Sequence, residues 1–585
     1  MANFYSDNPD IKFNLERLDL PALADLLEID YSESDEFDFA PTDSDDATDN
    51  YLRVCELAGE ICATKIAPRA QQIDQEGNVC ANGEVTYHPL VQENLQDFKQ
   101  AQLMGISLPR EFGGLNMPQV VKAAVLELVS RADAGLMNLV GLQDIAETIV
   151  EFGSAEQKEE FVPILASGDG TGAMVLTEPD AGSDLQAVRL KAIPPEDGDD
   201  SGTWQLYGVK RFITNGNGDV LLVQARSEEG TSDARGLSLF VCHKDETIRI
   251  RRIEEKLGIH GSPTCEMTFN YTPAYLIGRR KFGLIKYIMS LMNGARLGVA
   301  AQALGIAEAV YRMAREYAEK RIQFNKPIIT FPAVYEMLVK MKVNLEGGRL
   351  LVYETAKVVD LFKLAQRQIE TAKKTGSEID PQLRQQAKFN ERLAGVLTPF
   401  AKYFLSEMCN RTAYDGIQVL GGSGFMKDYD MERYYRDARI TSIYEGTSQL
   451  QVVGAIGGLF SGTLNPLFEK FNERKFPAQL SDLVQQVKAA ILQMNKAIEH
   501  IKERKQAELT DLTAKRIVDM GIDIYISTLF LAAASASADK VNSARVWVEE
   551  SNLRIESNYR SIMDDSFAIL DLHKQILAIE QSTSC

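Results

Sequence analysis

One glutamate stands out among the residues whose type and position could do chemistry. Glu445 lies in the segment YYRDARITSIYEGTSQLQ (434–451), where its neighbours are apolar or carry hydroxyl groups. A lone glutamate is usually a solvated surface charge, and that interpretation stays open at this point. If Ile443, Tyr444 and Gly446 partly remove Glu445 from water, its pKa rises and it becomes a better general base near neutral pH.

Further segments combine glycine with hydroxyl or aromatic residues. In MVLTEPDAGSDL (174–185) a strand pattern runs through Thr177 into a turn of small residues, which can offer backbone N–H groups to a ligand. The alternative is an ordinary tight turn at a strand end. RFITNG (211–216) places Phe212 and Thr214 two residues apart, on the same face of a regular strand. Two more such segments are RIQFNK (321–326) and QVLGGSGF (418–425).

Composition and periodicity predict an α+β multidomain chain that positions these segments. The 585 residues are 45% hydrophobic and 25% charged, which is ordinary for a globular protein. Apolar spacing is helical at both ends, and short strand-like runs fill the middle, which suggests a barrel or sandwich. The predicted domains are a 1–50 acidic extension, a 51–170 α-helical domain, a 171–285 β domain, a 286–460 four-helix bundle and a 461–585 additional helical extension.

Net charge, the cysteines and histidines, and the apolar segments argue against several kinds of function. A net charge of −20 argues against nucleic acid as a main ligand, which needs clustered Lys and Arg. Residues 30–50 hold nine acidic and no basic residues, and we expect a solvated loop there. Seven scattered cysteines and five unpaired histidines predict free thiols and no metal site. No signal peptide is evident, and 522–538 is too short and polar for a membrane span, so a cytoplasmic protein without stable membrane insertion is expected.

Taken together and in order, seven segments over about residues 51–460 resemble the acyl-CoA dehydrogenase family, and the α–β–α order agrees with that family's architecture. The alternatives are an acyl-CoA oxidase-like enzyme that reduces oxygen, and a non-catalytic or DNA-damage-response flavoprotein of the same fold. The segments are MVLTEPDAGSD, RFITNG, KLGIHGSPTCEMTF, MNGARLGVAAQALG, RIQFNK, QVLGGSGF and RDARITSIYEGTSQLQ.

The resemblance implies FAD as cofactor and assigns residues to it and to the acyl-CoA substrate. The residues implied at the flavin ring and the near pyrophosphate are Met174, Leu176, Thr177, Gly182, Ser183, Phe212, Thr214, Thr447 and Gln449. Those implied at the adenosine pyrophosphate of a neighbouring subunit are Arg321, Gln323, Phe324, Gln418 and Gly422. Those implied at the substrate are Ser183, Asn293, Arg296, Tyr444 and Gly446. Asn325 stands where the family usually has glycine, which puts the local backbone there in doubt.

The resemblance also implies the reaction and its base. One branch of the family carries its glutamate immediately before the arginine that matches Arg296, but here that residue is Ala295. The other branch uses the glutamate of YEGT, so Glu445 is the implied base. It removes the α proton of the thioester, the hydride goes to flavin N5, and 2,3-enoyl-CoA forms. The segment TEPDAGSD differs from that of the oxidases, which favours an electron-transferring flavoprotein as acceptor.

Substrate size and assembly are less determined by the sequence. Counting back without gaps from MVLTEP places Leu136, Val140 and Asp144 on the helix that lines the acyl pocket. Asp144 there favours a short or polar acyl group, unless it faces solvent. The long tail is expected to cover the bundle surface that smaller members use for assembly, which predicts a homodimer, with a homotetramer as the alternative.

Overall fold

A computed structural model describes residues 2–564 and 567–579 of the chain. The six cysteines within these ranges are free thiols, and the seventh, Cys585, lies outside them.

Helices make up most of the part that precedes the middle domain. Two short helices come first, and a long hydrophobic helix, α6, lies at the centre, with all fourteen of its residues buried. The elements are α1 (Pro9–Arg17), α2 (Leu20–Glu28), α3 (Ser44–Ile61), α4 (Ala67–Glu76), β1 (Val79–Ala81), β2 (Glu84–Thr86), α5 (Pro89–Gln100), α6 (Gln119–Ala132), α7 (Ala134–Gly141), α8 (Ile145–Phe152) and α9 (Ala155–Ser167).

The solvated loop expected at residues 30–50 is wrong in two respects. Helix α3 begins inside this segment because Asp43 caps it, accepting a hydrogen bond from the Asp46 N–H at 2.8 Å, and acidic residues are favourable in a first helical turn. Arg110 also binds the start of the segment, since it forms ion pairs with Glu28, just before it, at 2.6 Å and with Glu33, inside it, at 2.7 Å. A count of acidic residues does not show where their partners lie.

The middle domain is a small β-barrel, which is one of the two architectures predicted from the sequence, a barrel or a sandwich. Strand β6 pairs with β4 and with β7, and the path through β5 and β9 returns to β7, so the sheet closes on itself. Trp204 and Phe240 fill its interior. The strands are β3 (Gly172–Val175), β4 (Lys191–Ile193), β5 (Trp204–Thr214), β6 (Val220–Arg226), β7 (Leu237–His243), β8 (Ile248–Ile253) and β9 (Thr264–Leu276).

A bundle of long helices follows the barrel and packs on α6 as well as on itself. A two-stranded hairpin at 322–327 separates its first two helices. The elements are α10 (Met289–Lys320), β10 (Ile322–Gln323), β11 (Lys326–Pro327), α11 (Pro332–Thr375), α12 (Pro381–Leu420), α13 (Gly422–Phe425), α14 (Met431–Ala438) and α15 (Ser448–Phe460).

The tail, residues 461–579, adds helices that pack against α11, α12 and α15. Within the described ranges, α18 alone is long and apolar enough to cross a bilayer, but 83% of its most apolar stretch is buried inside the protein, as in a core helix. The elements are α16 (Asn465–Glu473), α17 (Ser481–Arg504), α18 (Ala507–Ala536), α19 (Val541–Met563) and α20 (Ala568–Ile576).

Candidate active site

A narrow cavity opens where the barrel meets the helices, and Glu445 forms part of its wall. Helices α7 and α10 provide its long sides, and the barrel contributes one residue each from β3 and β5. The lining residues are Leu126, Met137, Asn138, Gly141, Leu142, Asp144, Ile145, Met174, Thr214, Leu291, Ala295, Gly298, Val299, Tyr444 and Glu445. The cavity thus joins five residues that the sequence singled out, namely Asp144, Met174, Thr214, Tyr444 and Glu445.

Glu445 lies on a short connection before α15, which we call the base loop (residues 443–447). Its backbone has φ +52°, and Gly446 follows with φ +86°. Such a left-handed pair is costly for a non-glycine residue and persists only when the surroundings enforce it. Within the described residues the Glu445 carboxylate has no hydrogen-bond partner, and burial raises its pKa to about 7, against the lowering effect of Arg296 and Lys402. It therefore has the properties of a general base.

Three side chains that sequence reasoning missed hold the base loop. Lys402 of α12 is fully buried, and its Nζ donates to the Gly446 carbonyl at 2.6 Å. Gln451 Nε2 donates to the carbonyls of Glu445 and Gly446, at 3.2 and 2.9 Å. Gln302 of α10 accepts a short hydrogen bond from the Tyr444 hydroxyl. Lys402 was detectable as the one charge in the apolar run FAKYFL, but nothing in the sequence gave its partner.

The barrel carries unpaired polar groups at Thr214, which lines the cavity, and in the segment that follows β3. In the described part of the chain, the Thr177 and Thr214 hydroxyls and the N–H groups of Gly182 and Ser183 form no hydrogen bond. A tight turn, in which Glu178 and Ala181 exchange two backbone bonds of 3.1 Å, presents these N–H groups at the surface. Leu176, just before this turn in the sequence, is buried.

Phe212 does not follow the regular strand alternation assumed from the sequence. A β-bulge lies between Lys210 and Ile213, and Phe212 has φ +63° with 48% of its surface exposed. The Arg211 N–H donates to the Thr177 carbonyl at 3.1 Å, so the bulge is tied to the Thr177 segment. Phe212 therefore lies in a bulge, which short sequence patterns do not reveal.

The start of α10 forms the accessible side of the cavity. Asn293 is exposed, and its Oδ1 accepts a bond from Arg296 Nη1 at 3.2 Å. Arg296 Nε is buried without a partner in the described structure. Ala295 lines the cavity and carries no proton-accepting group.

The residues predicted at a neighbouring subunit's cofactor do not reach this cavity within one chain. Arg321, Gln323 and Phe324 lie on the exposed hairpin after α10, and Gln418 and Gly422 are exposed at the end of α12. The two groups share one end of the bundle, where Tyr317 donates to Ser423 at 3.3 Å. Thr447 caps α15 by accepting from the Leu450 N–H at 3.4 Å, and Gln449 is exposed on the same helix.

The face of the acyl-pocket helix that was predicted to line the cavity was partly wrong. Leu136 and Val140 are buried, but the cavity is lined instead by Met137, Asn138 and Gly141. A helical turn does not fix which of its faces meets a neighbour when nearly all residues are apolar. Asp144 does line the cavity, where it pairs with the buried Lys122 at 2.6 Å.

Comparison with known proteins identifies the family. The chain matches the acyl-CoA dehydrogenase N-terminal domain at 48–169, the middle domain at 173–272, and the C-terminal domain at 285–389 and 384–453. The chain belongs to the acyl-CoA dehydrogenase family. The tail matches a further acyl-CoA dehydrogenase C-terminal domain at 461–571. This acyl-CoA dehydrogenase is therefore an oxidoreductase of the predicted fold, and its tail forms a further C-terminal domain.

Named relatives agree with this assignment. A 3-methylmercaptopropionyl-CoA dehydrogenase of Ruegeria pomeroyi is 35% identical over 70% of both chains. The butyryl-CoA dehydrogenase structure from Megasphaera elsdenii is 30% identical, with a TM-score of 0.59 over 70% of this chain and 98% of that one. A Bacillus anthracis acyl-CoA dehydrogenase complexed with FAD has a TM-score of 0.74 over 92% of each chain, and at 22% identity it shows the fold alone.

Members of this family are FAD enzymes, and the residues of this acyl-CoA dehydrogenase fit the cofactor. The unpaired hydroxyls of Thr177 and Thr214 suit the polar edge of a flavin ring, and the free N–H groups of Gly182 and Ser183 suit a phosphate. A Cβ placed on Gly182 would meet only the Thr177 methyl, at 4.0 Å, so the turn leaves open space for a ligand.

Proposed function

We propose that the enzyme dehydrogenates an acyl-CoA thioester between its α and β carbons to give the 2,3-enoyl-CoA, with Glu445 as the base for the α proton. The observation that carries this proposal is the Glu445 carboxylate itself. It lies in the cavity wall with Met174 and Thr214, has no hydrogen-bond partner within the described residues, and has a pKa raised by burial to about 7.

The surrounding residues supply what proton abstraction from carbon requires. The α C–H of a thioester is a weak acid, and a positioned carboxylate contributes roughly 10²- to 10⁴-fold to its removal. Lys402 and Gln451 fix the base loop, and the apolar side chains of α7 and α10 exclude water from the reacting atoms. Bound FAD supplies the hydride-accepting chemistry.

We propose an electron-transferring flavoprotein as the electron acceptor, supported by the difference between TEPDAGSD and the oxidase segment. Slow reoxidation of the reduced enzyme in air would agree with this acceptor, whereas rapid reoxidation would favour the oxidase alternative. A cytoplasmic location stays a prediction from the sequence, as does the lack of nucleic-acid binding, which follows from the charge of −20.

The test is an anaerobic titration of the purified holoenzyme with a panel of acyl-CoAs while the visible flavin band is recorded. We expect at least one thioester to bleach the band, and Glu445→Gln to slow bleaching at least a hundredfold, because the amide cannot accept the proton. Glu407→Gln is the matched control. Glu407 lies nearby on α12 outside the cavity and accepts a hydrogen bond from Ser448, which an amide oxygen can replace.

Equal loss in both variants would point to disturbed structure and not to a lost base. A holoenzyme that no thioester bleaches would contradict the proposed reaction. Undiminished bleaching by Glu445→Gln would contradict the assignment of the base while leaving the reaction intact.

We further propose that the enzyme is a homodimer assembled through the end of the bundle that carries the predicted adenosine-side residues. The hairpin and the end of α12 expose large apolar groups there, with Phe324 87% and Phe425 73% exposed. Large apolar groups exposed together at one surface are typical of interaction sites. Such a contact would bring Arg321 and Gln323 to a second subunit.

A further inference from the structure

The cavity has a direction that can be read along α10. Asn293, near the start of α10, is exposed, and about two and a half turns further on Gln302 is completely buried. Leu291, Ala295 and Gly298 line the cavity at helical spacing, and the last two lie between Asn293 and Gln302 along the helix. An acyl chain that enters near Asn293 therefore runs towards Gln302.

Met137 occupies the gap between the two helices at the inner end. A Cβ built on Gly141 of α7 would lie 3.4 Å from Met137 Cε, and one built on Gly298 of α10 would also lie 3.4 Å from it. The thioether methyl thus rests against both glycines at once. Met137 is only 4% exposed, so its side chain is a buried part of the wall.

Asn138, the next residue of α7, also lines the cavity and joins it to a hydrogen-bonded polar cluster at the inner end. Asn138 Oδ1 accepts bonds from the Tyr444 hydroxyl at 3.2 Å and from Gln302 Nε2 at 3.0 Å. Asn138 Nδ2 donates to Ser262 Oγ at 3.2 Å. A longer alkyl chain could pass only by breaking buried hydrogen bonds, which is costly because the separated groups would remain unpaired.

The volume of the cavity agrees with this closure. It measures about 70 Å³. An engineered apolar cavity of about 150 Å³ binds benzene, which has six carbons. By that comparison the space holds about three carbon atoms.

We infer that the substrates are short-chain acyl-CoA thioesters, with acyl groups of about four carbons, and that Met137 is the residue that sets this limit. The inference rests on the proposed function, since it assumes that the acyl chain occupies the cavity beside Glu445. Met137 is a specificity-determining residue that contacts the end of the chain.

The test compares butyryl-CoA, octanoyl-CoA and dodecanoyl-CoA with the holoenzyme. We expect kcat/KM to fall at least tenfold from butyryl- to octanoyl-CoA, since single methylenes in a filled pocket discriminate by about 10- to 200-fold.

Met137→Ala should raise the ratio of kcat/KM for octanoyl-CoA to kcat/KM for butyryl-CoA at least tenfold. Gly298→Ala should lower it, because the added methyl meets Met137 Cε at 3.4 Å and shortens the cavity. Met289 is exposed at the start of α10 and does not line the cavity. Met289→Ala is therefore the control and should leave the ratio unchanged.

Binding to the Glu445→Gln holoenzyme, measured by calorimetry, separates this inference from the proposed reaction. Tighter binding of butyryl- than of octanoyl-CoA supports the length limit even if turnover is lost for another reason. Equal or tighter binding of octanoyl- or dodecanoyl-CoA overturns the length limit while leaving the dehydrogenation intact. An unchanged ratio in both Met137→Ala and Gly298→Ala, with FAD content preserved, overturns the role of Met137.

Discussion

Glu445 is a carboxylate whose burial and nearby cations act on its pKa in opposite directions. Burial disfavours the ionised form, while Arg296 and Lys402 favour it, and the balance is a pKa of about 7. A general base must be ionised to accept a proton. The reductive half-reaction should therefore be slow at pH 5.5, half-maximal at about pH 7 and level above pH 8.

Stopped-flow flavin bleaching at saturating butyryl-CoA checks this pH dependence directly. A midpoint of about 4.5, the ordinary value of a glutamate, would show that Glu445 is fully solvated in the working enzyme. Such a result would contradict the role of burial in tuning the base.

Lys402 and Gln451 both hold the base loop, but only Lys402 carries a charge. Replacing Lys402 by Met should raise the pH midpoint of bleaching by about one unit or more, because a nearby opposite charge lowers a carboxyl pKa by that amount. Gln451→Met removes hydrogen bonds to the same loop without removing charge, so it should lower the maximal rate and leave the midpoint in place. Equal midpoints in the two variants would assign Lys402 a purely structural role.

Part of the site could be predicted from the sequence because its residues lie within short continuous segments. Glu445 was recognisable from its apolar neighbours, and Thr177 from the turn that follows it. Lys402, Asn138 and Gln302 could not be assigned in this way. Their partners lie 44 residues away or more along the chain, and a helix pattern does not reveal which neighbouring element each face meets.

At the level of elements, ion pairs attach the first two helices to the rest of the protein. Arg110 is 2% exposed and Glu28 1%, and just before α1 the partly exposed Asp7 pairs with Arg131 at 2.6 Å. The acidic composition of this part of the chain suggested a solvated extension. Composition gave the charges correctly, but the arginines that neutralise them lie about 80 and 120 residues later.

Removing Arg110 should release α2 because two carboxylates would lose their partner. Breaking a buried pair costs about 3–5 kcal/mol, since the remaining charge is left uncompensated. Arg110→Met should lower the opening free energy of α2 by that amount, measured by native-state hydrogen exchange. Arg53→Met is the control, because its pair with Asp49 is largely exposed and contributes about 0–1 kcal/mol. Unchanged protection of α2 in Arg110→Met would show that apolar contacts alone hold it.

At the scale of the whole molecule, the tail is an integral layer of the fold. It approaches the bundle closely at two glycines, since a Cβ on Gly347 of α11 would lie 2.9 Å from Phe530 and one on Gly521 of α18 would lie 3.0 Å from Phe400. The sequence predicted the helices of the tail from their apolar spacing. Their docking surface depends on these glycine contacts between distant segments, which spacing within one helix does not encode.

This covering by the tail leads to the predicted assembly. Since the tail contacts α11, α12 and α15, we expect the subunits to meet instead through the exposed apolar groups of the hairpin and of the end of α12. A single two-fold interface closes after two copies. Light scattering should therefore give twice 65.0 kDa and not four times that mass. Phe324→Glu should give monomers with reduced FAD content, because a charge in an apolar contact must be desolvated. Leu553 is 70% exposed on the tail, so the control variant Leu553→Glu should remain dimeric. A tetrameric wild-type protein would show that the tail leaves a second interface open.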